Sequence, residues 1–224
     1  MISSTDTGVA IPAITISIVS HAQLHLVLPL LHDLNTLHSS CSFHVVLTLN
    51  TAEALPFNPE DFAFPIRLLR NAKPLGFGAN HNRAFTLARG RFFCVLNPDI
   101  RIEENPFLEL MRVCDNSAVG IAAPTITNSL GQPEDSARKF PTPLRIAHRV
   151  LTRRSAPDYA PIQKAFHPDW VAGMFMLLRT PVYRQLEGFD ERYFLYCEDV
   201  DLCARARLVG LDIVQIPLGG VVHN

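Results

Sequence analysis

The run Arg91-Phe92-Phe93-Cys94-Val95-Leu96-Asn97-Pro98-Asp99 constrains this chain more than any other stretch. The apolar residues between Arg91 and Asn97 are unbroken, the pattern of a strand covered on both faces inside a parallel sheet. Pro98 has no N–H to give to a neighbouring strand, so regular pairing ends there. Asp99 is thereby delivered to the carboxyl end of a central strand, the edge at which open α/β sheets bind ligands. A carboxylate on a fixed turn at that edge suits a hard divalent cation carrying phosphates. Asn, Pro and Asp are also ordinary turn residues, so the triplet needs support from elsewhere in the chain.

The flanking sequence supplies it. Ile14-Thr15-Ile16-Ser17-Ile18-Val19 reads as a first strand, with Ser20-His21 at its carboxyl end. Residues 22–38 space Leu24, Leu28, Leu31 and Leu34 at three and four, as an amphipathic helix does. Phe43–Leu49 and Ile66–Leu69 follow as strands across a Pro-rich loop. Such alternation predicts right-handed βαβ units, a mostly parallel central sheet and helices on both faces. We expect one domain over residues 1–224, with a nucleotide- and metal-binding half (1–123) and an acceptor half (124–224).

Composition narrows the class. A chain of 224 residues with 48% hydrophobic and 18% charged residues builds a packed core rather than a disordered coil. A formal charge of −1 without a long basic run gives no indication of a nucleic-acid partner. Five cysteines without CxxC spacing, with Cys94, Cys197 and Cys203 in apolar or helical runs, read as buried free thiols in a reducing compartment. The longest apolar run, Ala10–Val19, is far too short to span a bilayer. The first ten residues show no signal-peptide pattern. The sequence thus reads as cytoplasmic.

Two further stretches carry candidate chemistry. In Leu75-Gly76-Phe77-Gly78-Ala79-Asn80-His81-Asn82 the paired glycines let backbone approach a ligand, ahead of a helix expected from Ala79 to Arg89. This is neither a P-loop nor a full dinucleotide fingerprint. Near the other end, Glu198-Asp199-Val200-Asp201 opens a helix expected to stop at Gly210. Its phasing puts Asp199 in line with Leu202, Ala206 and Val209, and Glu198, Asp201 and Arg205 on the other side. Asp201 and Arg205 make an i,i+4 ion pair on that phasing, and the helix N-terminus favours an ionised Asp199. Between them, Trp170–Leu178 reads as one buried strand with Gly173 at a point of close approach.

In this order, the motifs resemble the family 2 glycosyltransferases with the GT-A fold, in particular the rhamnosyltransferase-like branch. Asn97-Pro98-Asp99 is similar to the family's metal motif, and Gly76–Asn82 to its nucleotide-side loop. Trp170-Val171-Ala172-Gly173, Gly188-Phe189-Asp190-Glu191 and Glu198–Leu202 look like its acceptor-side signature, and His223 matches a family histidine able to join the metal shell. The resemblance implies an inverting, metal-dependent hexosyltransferase. Its donor would be a nucleotide-diphosphate sugar, dTDP-rhamnose or a UDP-hexose. Its acceptor would be a glycan or a lipid-linked molecule of cell-surface polysaccharide assembly.

On this resemblance Asp99 and His223 hold Mg²⁺ or Mn²⁺, and Asp199 is the general base. Ser20, Asn50, Gly76, Phe77, Gly78, Asn82 and Asn97 bind the donor nucleotide, and Arg138, Trp170, Gly173 and Glu198 the acceptor or sugar. Two departures stand out. Leu47-Thr48-Leu49-Asn50-Thr51 has no acid where the family carries one, and the chain stops at Asn224 where the branch continues with a basic tail. An inactive sugar-nucleotide-binding module and a nucleotidyltransferase are the rival readings. The second is disfavoured because Val19-Ser20-His21-Ala22 has no glycine at the first strand-to-helix turn.

Arg145, Arg149 and Arg153 recur at four within an apolar stretch, as in a basic amphipathic helix lying on a membrane. Together with Arg154 they should give weak binding to anionic vesicles that is lost as salt rises. Co-sedimentation checks this, and equal recovery with neutral vesicles rejects it.

Overall fold

The computed structural model describes residues 12–145, 147, 158–159 and 163–224. Its centre is a seven-stranded sheet built from β1 (Ile14–Ser20), β2 (Phe43–Leu49), β3 (Ile66–Arg70), β4 (Phe92–Leu96), β6 (Val119–Pro124), β10 (Phe175–Arg179) and β11 (Asp212–Ile216), in the order β11-β6-β10-β4-β1-β2-β3. Strands β1 to β4 pair in parallel, as do β6 and β11. Only β10 runs against its neighbours β4 and β6.

The apolar run of β4 is buried along its whole length. Alternate side chains enter two separate cores, as the two-residue period of a strand requires. Phe92, Cys94 and Leu96 pack with helices α1 (Leu24–Leu37) and α3 (Phe107–Cys114). Phe93 and Val95 pack with α4 (Thr180–Gln185) and α5 (Glu198–Leu208) on the opposite face. The helix α2 (Phe77–Phe85) lies against β1 and β2 on that second face.

Local structure departs from the sequence reading where tertiary contacts decide. In α1 the buried stripe is Leu24, Val27, Leu30, Leu31 and Leu34, and Leu28 is only half-buried. Helix α2 begins at Phe77 and ends at Phe85, so it starts and stops earlier than the expected Ala79 and Arg89. The Trp170–Leu178 run is not one strand. It breaks over 172–174, because Ala172 N–H donates to Ser136 O at 2.8 Å and Gly173 N–H donates to the Asp199 carboxylate at 3.1 Å. The first piece, β9 (Trp170–Val171), pairs with β8 (Ala137–Arg138) in a separate ribbon.

Three short strands that periodicity could not reveal form a third sheet: β5 (Ile100–Ile102), β12 (Val221–His223) and β7 (Thr127–Asn128). Their partners lie far apart in sequence, so no local signal marks them. This small sheet carries His223 alongside Ile100, next to Asp99. Cys197 is exposed rather than buried, on a left-handed backbone (φ 71°) that starts α5. Arg145 is exposed at the described part of the basic stretch, while Arg149, Arg153 and Arg154 lie outside the described residues. No helix among the described residues is long and apolar enough to cross a membrane.

Candidate active site

A cleft of about 500 Å³ opens at the carboxyl ends of β1, β2 and β4. Its floor holds Asn97, Pro98 and Asp99, and its walls include Asn50, Gly76 and Phe77. Asp99 projects from the turn that Pro98 imposes. Its Oδ2 lies 3.3 Å from His223 Nε2. Its Oδ1 is buried and has no hydrogen-bond partner among the described residues. His223 Nδ1 in turn lies 3.0 Å from Glu134 Oε2. Burial pulls the His223 pKa down, but the Glu134 bond and the Asp99 charge outweigh it and hold the ring above the usual histidine range.

A carboxylate oxygen without a partner beside an imidazole nitrogen fits a divalent cation, Mn²⁺ more readily than Mg²⁺ because of the nitrogen. Among the described residues no three His, Cys, Asp or Glu side chains converge on one point. Phosphate oxygens and water would complete the shell.

The walls are held by polar groups facing inward on the protein itself. Asn50 accepts from Leu75 N–H (2.8 Å) and Asn71 Nδ2 (2.8 Å), and donates to Leu75 O (2.9 Å). Asn82 does not line the cleft; it donates to Phe189 O (2.8 Å) and Glu191 Oε1 (3.0 Å), and accepts from Phe189 N–H (2.9 Å) and Tyr183 Oη (2.7 Å). Added side-chain carbons at Gly76 and Gly78 would come within 2.5 Å of Phe194 O and Phe189 Cβ. These glycines therefore admit the chain's own 189–194 segment, which Phe77 N–H also holds through Phe194 O at 2.9 Å. Facing the cleft beside them, His81 keeps a neutral ring, its pKa pushed down to about 3 by burial, with Nδ1 2.8 Å from Ser17 Oγ.

An acid does stand at this wall, two residues beyond the stretch where sequence reading sought one. Glu53 accepts from Ser20 Oγ (2.9 Å), Ala22 N–H (2.9 Å) and, at 3.4 Å, Leu24 N–H. It ties the β1–α1 turn to the segment after β2. The carboxylate two residues after Thr51 was the available signal.

The second acidic centre lies beside the cleft and does not line it. Asp199 Oδ2 accepts Gly173 N–H (3.1 Å) and Oδ1 accepts Val200 N–H (2.8 Å). Gly173 separates it from Phe77: a side-chain carbon there would stand 3.0 Å from the Phe77 ring and 3.8 Å from Asp199 Cβ. Burial raises the Asp199 pKa against these amide bonds and the Arg138 charge, so the helix terminus does not dominate its titration.

The expected helix phasing holds in part. Asp201 pairs with Arg205 at 2.7 Å, and Arg205 also donates to Gly188 O at 2.8 Å. Val209 is exposed, however, and Glu198 is buried instead of lying on the outer side. Glu198 Oε2 lacks a partner among the described residues, and burial raises its pKa. Arg138 and Trp170 stand opposite each other on the β8–β9 ribbon, Arg138 ion-paired to Asp135 at 2.9 Å and Trp170 Nε1 donating to Lys139 O at 3.1 Å.

Known proteins resemble the chain in sequence and in fold. No protein-family model matches the chain. Over 159 residues it is 27% identical to rhamnosyltransferase WbbL of Escherichia coli, covering 66% of this chain and 60% of that protein. Over 182 residues it is 30% identical to N-acetylglucosaminyl-diphospho-decaprenol L-rhamnosyltransferase of Mycobacterium tuberculosis, covering 71% of this chain and 59% of that one. The chain thus spans about three fifths of the length of these relatives.

Among solved structures, GalNAc-T7 with UDP, GalNAc and Mn²⁺ superposes with a TM-score of 0.70 at 12% identity, over 96% of this chain and 44% of that one. The mannosyltransferase PcManGT from Pyrobaculum calidifontis, in complex with GDP-Man and Mn²⁺, gives 0.65 at 14% identity, over 95% and 56%. The chain has the GT-A glycosyltransferase fold. Within that fold its sequence relatives include rhamnosyltransferases.

Glu53→Ala should leave Ser20 Oγ and the Ala22 N–H without their acceptor and lower stability by about 1–3 kcal/mol. Urea unfolding measures it, and an unchanged midpoint would refute the role given to Glu53.

Proposed function

We propose that this chain is an inverting glycosyltransferase moving a sugar from a nucleotide-diphosphate donor, dTDP-rhamnose or a UDP-hexose, to a glycan or lipid-linked acceptor in cell-surface polysaccharide assembly. The observation that carries the reading is Asp99 at the floor of the cleft on the carboxyl edge of the sheet, its Oδ1 without a partner among the described residues and its Oδ2 3.3 Å from His223 Nε2. The relatives named above favour the same class.

In this reading the diphosphate binds in the cleft that Asn97, Asp99, Gly76 and Phe77 line. Asp99 and His223 hold the divalent cation, which when bound neutralises the leaving diphosphate as a Lewis acid. Asn50 and Ser20 shape the donor wall through Leu75 and Glu53, and Asn82 and Gly78 hold the 188–191 turn against α2. The acceptor approaches from the side of Arg138, Trp170, Gly173 and Glu198. Asp199 takes the proton of the attacking hydroxyl. Its two amide bonds fix the carboxylate, and burial makes it a stronger base than an exposed aspartate. No enzyme nucleophile takes part, so one displacement inverts the anomeric carbon, and holding both substrates in line contributes much of the rate. The protein works in the cytoplasm, peripherally at the inner face of the membrane.

Asp199→Asn keeps size and polarity but removes the base, so the transfer rate should fall ~10²–10⁴-fold with donor affinity near normal. Asp201→Asn should cost only ~0.3–0.5 kcal/mol of stability and leave the rate nearly unchanged. Because the Asp199 pKa is raised, wild-type activity should be lost on acidification at a higher pH than an exposed aspartate would give. Rates and donor affinities for both variants check this. An inactive Asp201→Asn beside an active Asp199→Asn would move the base to Asp201.

A further inference from the structure

Glu134 belongs to no motif of the glycosyltransferase reading, yet it is built into the Asp99 site as firmly as His223. Its backbone is fixed between β7 and β8: Glu134 N–H donates to Ile126 O and Glu134 O accepts from Ser136 N–H, both at 2.8 Å. His223 is fixed by β12, which pairs with β5 on one side and β7 on the other. The two side chains meet between these supports, Glu134 Oε2 3.0 Å from His223 Nδ1, and each is only 28% exposed. On the far side of the ring, Nε2 lies 3.3 Å from Asp99 Oδ2.

An imidazole ligates a metal through a nitrogen that carries no proton, and the bond made by the other nitrogen decides which one that is. An ionised carboxylate has no proton to give, so in the shorter of the two contacts the proton belongs to Nδ1. We propose that Glu134 is a positioning residue: by accepting the Nδ1 proton of His223 it leaves Nε2, the nitrogen beside Asp99, to ligate a divalent cation. The inference rests on Asp99 and His223 as the metal-holding pair. It extends that pair by a residue that meets the site through the histidine.

The test uses the whole chain as wild type, Glu134→Gln and Glu134→Ala. In metal-free protein, ¹⁵N NMR of the His223 ring at a pH where it is neutral reads which nitrogen holds the proton. Wild type and Glu134→Gln, whose amide oxygen still accepts, should show the proton on Nδ1. Glu134→Ala should shift it toward Nε2. Mn²⁺ affinity in the presence of a nucleoside diphosphate, read by electron paramagnetic resonance, should fall about 10–100-fold in Glu134→Ala and less in Glu134→Gln. A wild-type proton on Nε2, or a Glu134→Ala protein that keeps both the tautomer and the Mn²⁺ affinity, overturns the proposal. A wild type that binds no Mn²⁺ while its tautomer depends on Glu134 contradicts the metal reading and leaves Glu134 as the group that orients His223.

Discussion

Asn97 N–H donates to Met174 O at 2.9 Å, and Asn224 N–H donates to Asp99 O at 3.1 Å. Between these two bonds lies the turn that the site depends on. The first fastens it to the segment leading into β10, the antiparallel strand beside β4. The second fastens it to the segment leaving β12. Strand β4 below it is wholly buried and enters both cores, so the turn cannot shift without disturbing either of them. Burial of this kind is close-packed and resists displacement. Asp99 is accordingly set in place before any ligand arrives, which is what electrostatic stabilisation of a leaving diphosphate requires.

The same packing governs the side proposed for the acceptor. Helix α2 is gripped by the 188–194 segment through Gly76, Gly78, Phe77 and Asn82. That segment leads straight into α5 and Asp199. Gly173, at the break between β9 and β10, is held by Asp199 and touched by the Phe77 ring. The proposed donor wall and the candidate base are therefore parts of one packed unit, with Gly173 between Phe77 and Asp199.

Much of this was legible from the residues, and the illegible parts share one cause. β4 announced itself because a strand buried on both faces has an unbroken apolar run, and Asn-Pro-Asp marked its end. The Asp201–Arg205 pair followed from helical spacing alone. Strands β5, β7 and β12 left no such trace, since two or three residues carry no period and their partners are distant in the chain. Glu134 was invisible for the same reason: it meets His223 across 89 residues. The Trp170–Leu178 run misled because its composition is that of a strand, while the backbone at 172–174 turns to Ser136 and Asp199. Gly76 and Gly78 were read as room for a ligand, whereas the groups packed against them are Phe194 and Phe189 of the chain itself. Glu198 went to the inside because the first turn of α5 is covered, a tertiary fact that helical phasing does not contain.

The central claim is that Asp99 binds a nucleotide diphosphate through a divalent cation. Thermal unfolding of wild type and Asp99→Ala, each with dTDP or UDP and with or without Mn²⁺, tests it most directly, because a specific ligand stabilises by mass action. The account predicts a rise in Tm for wild type only when nucleotide and Mn²⁺ are both present, and no rise for Asp99→Ala. An equal rise in the two proteins, or a wild-type rise with nucleotide that Mn²⁺ does not change, would contradict it.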